Sequence, residues 1–125
     1  MREIAEQEMK EFPGRLFVLT GDFNDGTEDA SVQAILNPGD GRERWVDSLE
    51  GKPDSERMTW PANPKRTNGF SPEQFDHIIF PQSMSDKLVS SQIHRYEQSQ
   101  ETDTRWVSST ASDHLMITAE FDLKA

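Results

Sequence analysis

Leu16-Phe17-Val18-Leu19-Thr20-Gly21-Asp22-Phe23-Asn24-Asp25 is the stretch whose reading decides the fold. The apolar run reads as a short buried strand over residues 15–20, and the Gly/Asp/Asn cluster behind it marks the loop at the strand's end. On an extended chain Asp22 and Asn24, two residues apart, project to the same side. Gly21 leaves room for a ligand to approach the backbone. A carboxylate and an amide so placed suit one phosphorus centre, the carboxylate as base or metal ligand and the amide as hydrogen-bond donor. The same residues would also build a plain strand-to-turn junction.

Two later motifs repeat the pattern of an acidic residue at a strand end. Phe75-Asp76-His77-Ile78-Ile79-Phe80 sets Asp76 at the mouth of a strongly apolar strand, with His77 pointing to the opposite face and read as structural. Ser112-Asp113-His114-Leu115-Met116-Ile117 opens a third strand with an Asp-His pair. Leu115, Ile117, Ala119 and Phe121 then alternate with Met116, Thr118 and Glu120, which predicts one buried face.

With these three motifs in this order, the chain resembles the endonuclease/exonuclease/phosphatase superfamily of metal-dependent phosphoesterases, to which deoxyribonuclease and the exonuclease-III-type enzymes belong. The resemblance covers nearly all of residues 1–125 but only the C-terminal half of the family's domain. No residue here matches the metal-binding glutamate and early asparagine of the family's first half. What the resemblance implies is an α/β fold: a mixed β-sheet with flanking helices on one face, half of a four-layer α/β sandwich. It implies Asp22 as the group that orients and deprotonates water and Asn24 as a donor to a non-bridging oxygen. It further implies His114 as a donor to phosphate, held in its tautomer by Asp76. Asp22, Asn24 and Asp113 are the implied metal-side residues. The ion expected is Mg²⁺, with Mn²⁺ as the substitute, since hard cations choose oxygen ligands.

The implied activity is hydrolysis of a phosphate monoester or diester, incomplete without the N-terminal half. A different class of reading is a non-catalytic remnant that binds a phosphate ligand or a protein. The partners expected are a phosphate-ester substrate and either the missing half-domain or a second copy of the chain.

Composition fits such a reading. Leu, Ile, Val and Phe supply 25 of 125 residues, a thin core for a chain of net charge −10. A protein that grips nucleic acid by its backbone needs a basic stripe. Here the bases are scattered, with only Lys65-Arg66 and Arg42/Arg44 close together. Charge therefore gives a nucleic-acid substrate no support. Without cysteine there is neither a disulfide framework nor a thiolate metal site. No run approaches the length of a membrane helix, and residues 1–12 are acidic and amphipathic rather than leader-like. Localisation has no readable signal.

The remaining elements follow from periodicity. Ile4, Ala5, Met9 and Phe12 recur at helical spacing up to Pro13-Gly14. Val32, Ile35 and Leu36 share a face of a second helix that stops at Asn37-Pro38-Gly39. Trp45-Val46 suits a short edge strand or helix end. Residues 49–72 read as a long loop in which Thr59-Trp60 forms either a substrate wall or an anchor to the core. Val89, Ser91 and Ile93 alternate in a further strand, His94 is read as a surface histidine, and 97–103 as a polar turn.

Overall fold

Helix α1 (Arg2–Glu11) opens the chain and ends where expected: the Phe12 N–H still bonds to the Glu8 carbonyl at 2.8 Å, and Pro13-Gly14 halts it. The computed structural model describes residues 1–61, 72–95 and 114–124. Strand β1 (Leu19–Asp22) follows, then α2 (Ala30–Leu36), β2 (Trp45–Asp47), β3 (Asp76–Pro81), β4 (Leu88–His94) and β5 (Met116–Phe121). Short 3₁₀ helices lie at Asp54–Glu56 and Gln82–Lys87. The class is α/β.

The strands form two sheets. One has the order β1-β3-β2, the other pairs β4 with β5. Every pairing among the described residues is antiparallel, so two small antiparallel sheets replace the single mixed sheet expected. β3 is the central strand because its residues are apolar on both faces. Ile79 joins Ala5, Val32, Leu36 and Trp45 in the core beneath the two helices. Phe80, on the opposite face by strand alternation, meets Phe121 edge-on with ring centroids 5.2 Å apart. Helices thus cover one face of the β1-β3-β2 sheet, as expected, and the β4/β5 pair covers the other. Ser91 Oγ donates to Ser48 Oγ at 2.9 Å to fasten the two sheets together.

Three expectations give way to local forces. Ile4 is 72% exposed, whereas Arg2 is buried in its stead. The Arg2 guanidinium donates to the carbonyls of Ile35 and Glu43, pairs with Glu6, and lies 5.0 Å from the Trp45 ring centroid. This rotates α1 so that Arg2, Ala5, Glu6 and Met9, at helical spacing, face inward. Strand β1 begins at Leu19 rather than at residue 15 and is an exposed edge, so Asp22 is its last residue and not part of a loop. In β4 the register slips between Leu88 and Ser90, and the bulge turns Val89 outward. Among the described residues no helix is long and apolar enough to cross a membrane.

Candidate functional site

Asp22 and Asp76 are register partners across the β1/β3 pair, so their side chains leave the same face of the sheet, the one that β4/β5 covers. Two like charges directly opposite one another are unfavourable unless a cation relieves them. The imidazole of His114, just ahead of β5, reaches toward both. Its Nδ1 lies 2.7 Å from Asp76 Oδ2, and its Nε2 lies 3.8 Å from Asp22 Oδ2. Ligand atoms of the three side chains fall within 4.8 Å of one another. Asp76 and His114 are 19% and 25% exposed, Asp22 42%, so the cluster is held on one side and open to solvent on the other.

Thr59 fastens two of the three segments. It is wholly buried, its Oγ1 accepts the N–H groups of Phe75 and Asp76 at 3.0 Å each, and its carbonyl accepts Leu115 N–H at 2.7 Å. The neighbouring Trp60 pairs with Glu73 through both backbone groups and stacks on Phe75 at 5.3 Å. Thr59-Trp60 is therefore the anchor of the long loop to the core.

Asn24 departs from the extended geometry expected of it. Its φ is +53°, in the left-handed region, and its N–H donates to Asp22 Oδ1 at 2.9 Å. Asp22 thus serves in two ways: Oδ1 closes a turn while Oδ2 faces His114. The alternation argument fails because β1 ends at Asp22, and Asn24 instead lies exposed on the turn beside it. Asp113, Lys65, Arg66 and the turn at 97–103 lie outside the described residues. The cluster that forms contains Asp22 from the expected metal set, joined by Asp76 and His114. His94 is half-buried, its Nε2 2.8 Å from Thr118 Oγ1.

Below the cluster, on the helix-covered face, lies a buried polar network that periodicity did not reveal. His77 is wholly buried, with Nδ1 2.6 Å from Asp47 Oδ2 and Nε2 2.8 Å from the Asp25 carbonyl. Asp47 also accepts Leu49 N–H at 2.8 Å and Gln74 Nε2 at 3.1 Å. Gln74 in turn accepts Arg57 Nε at 3.1 Å, and Arg57 donates to Thr27 Oγ1 at 3.2 Å. Burial disfavours charge on the His77 imidazole. The Asp47 hydrogen bond, the Asp25 carbonyl and the charges of Asp47 and Asp76 outweigh it and raise the His77 pKa. His77 lies buried on the face opposite Asp76, the facing expected of it. Asp47, which carries no motif, was missed. Its only sequence signal is a carboxylate at the end of a short apolar strand.

Comparison with protein-family models, with curated proteins and with solved structures returns no match.

Proposed function

We propose that the chain is the C-terminal part of a metal-dependent phosphoesterase domain, in the architecture of a four-layer α/β sandwich completed by a first half or a second copy. The observation that carries this reading is the double reach of His114, Nδ1 toward Asp76 and Nε2 toward Asp22. A carboxylate on Nδ1 fixes the imidazole's orientation and favours its protonated form, which leaves an Nε2–H to donate to a phosphate oxygen. Asp22 Oδ2, beside that nitrogen and open to solvent, is placed to orient and deprotonate water. Asn24 projects from the adjoining turn as a donor to a second phosphate oxygen. Phosphoryl transfer asks for this kind of positioning and charge neutralisation rather than covalent work.

The donor set suits a divalent cation. Asp22 and Asp76 offer hard oxygens on two facing carboxylates, so Mg²⁺ or Mn²⁺ would be held there, with Asp113 and Asn24 as further candidates. Such an ion, when bound, neutralises phosphate charge and acidifies water.

The deciding assay is hydrolysis of phosphate mono- and diesters with Mg²⁺ or Mn²⁺, by the chain alone and by the chain with a matching first half. The expected result is negligible turnover alone and metal-dependent turnover by the pair. A folded but silent pair would favour a non-catalytic phosphate- or protein-binding module.

A further inference from the structure

We infer that His77, backed by Asp47, is a positioning residue that sets the shape of the turn carrying Asn24. The turn at residues 22–25 is held at both ends. At its start Asp22 Oδ1 accepts Asn24 N–H, and Phe23 N–H bonds to the Phe75 carbonyl at 2.8 Å. At its end the Asp25 carbonyl accepts His77 Nε2–H at 2.8 Å. A carbonyl only accepts, so Nε2 must carry the proton. The Phe23 ring also packs on the imidazole, 5.3 Å between centroids.

What lies behind the imidazole explains its rigidity. Nδ1 is tied to Asp47, Asp47 to Leu49 N–H and Gln74, and Gln74 also reaches the Asp76 carbonyl at 3.3 Å. Arg57 extends the same network to Thr27, two residues past Asp25. The network thus joins the Asp76 strand to the Asn24 turn through buried, fully partnered groups. Asparagine enters the left-handed region more readily than most residues, so that conformation is open to Asn24 and the network selects it. His77 touches no reacting atom and acts through the direction in which Asn24 leaves the backbone.

Asparagine and glutamine separate the two halves of the imidazole. His77→Asn keeps a donor at the Nδ1 position for Asp47 and loses the tie to Asp25. His77→Gln places its amide donor near the Nε2 position and keeps that tie. Amide hydrogen exchange on the full chain reads the turn without any assumption about activity. In His77→Asn the Asn24 and Gly26 amides should exchange up to about tenfold faster, the loss of one net hydrogen bond, and in His77→Gln they should stay near wild type. Equal exchange in both variants overturns the inference. On the wild-type chain, the Nε2 proton of His77 should be seen by NMR as slowly exchanging, and one that exchanges as fast as in free imidazole overturns it whether or not the variants fold.

The catalytic consequence rests on the phosphoesterase reading. In the reconstituted pair, His77→Asn should lower kcat by about 10²-fold with KM little changed, while His77→Gln restores most of it. A silent wild-type pair would defeat the phosphoesterase reading, while the exchange data would still judge the role of His77. An active pair in which both variants keep full kcat would defeat the role of His77 alone.

Discussion

Asp22 and Asp76 stand directly opposite each other on β1 and β3, two carboxylates on one face with the His114 imidazole reaching toward both. A sheet arranged for stability alone would not set like charges across a strand pair. Asp22→Asn removes the repulsion and keeps the Oδ1 acceptor that closes the Asn24 turn. It should raise stability by about 0.2–1 kcal/mol while abolishing turnover of the reconstituted pair. Urea unfolding and initial rates on the same preparation check both halves.

Asp76→Asn replaces the acceptor on His114 Nδ1 with an amide that holds the imidazole poorly. Turnover should fall by about 10²–10⁴-fold, with the fold intact by circular dichroism. His114→Ala should do at least as much. A loss under tenfold in Asp76→Asn would show that the imidazole does not depend on this carboxylate.

Asp47→Ala strips the buried His77 of its charged partner and frees Leu49 N–H and Gln74. Removing one member of a buried ion pair destabilises by about 3–5 kcal/mol, a large share of a small domain's stability. Equilibrium urea unfolding should show this shift. An effect near zero would mean that His77 is neutral and unstrained without Asp47.

The raised pKa of His77 has a definite sign in stability. The folded state binds the proton more tightly than the unfolded chain, so this contribution is fully present below the ordinary value of 6.5. It is lost as pH rises through the higher folded-state value. Urea midpoints should therefore fall as pH rises above about 6.5, and His77→Gln should flatten that slope.

Arg2→Met keeps the apolar stem over Trp45 but leaves the carbonyls of Ile35 and Glu43 without their donor. Hydrogen bonds to charged groups contribute about 1.5–3 kcal/mol, so α1 should loosen by about that much. Amide exchange across α1 should quicken well before that of β3.

Much of this was legible in the sequence where local pattern and tertiary demand agree. The strand read at residues 75–80 forms at Asp76–Pro81, and Pro13-Gly14 and Asn37-Pro38 follow the ends of the two helices as read. The Asp76–His114 contact was what the resemblance implied, and both residues lie near strand ends, where a sheet gathers its loops. The turn at Asn24 could not, since whether a chain stays extended past Gly21 depends on what Asp22 Oδ1 finds to bond. Arg2 and Ile4 exchanged places because a guanidinium with two carbonyls and an indole face to meet outweighs one apolar side chain. The Asp47–His77 network left no periodic trace, as a buried polar pair is specified by three-dimensional partners alone.

The three residues of the cluster come from distant parts of the chain: Asp76 and His114 are 38 positions apart, and Asp22 lies further still from Asp76. Closing such loops costs entropy before any contact is gained, so non-local pairings of this kind are slow to form. α1 and α2 can assemble from neighbouring sequence, whereas the cluster exists only once β1, β3 and β5 have all found their places. An NMR probe of the His114 imidazole therefore acts as a clock on that assembly, silent toward every partly folded form that precedes it.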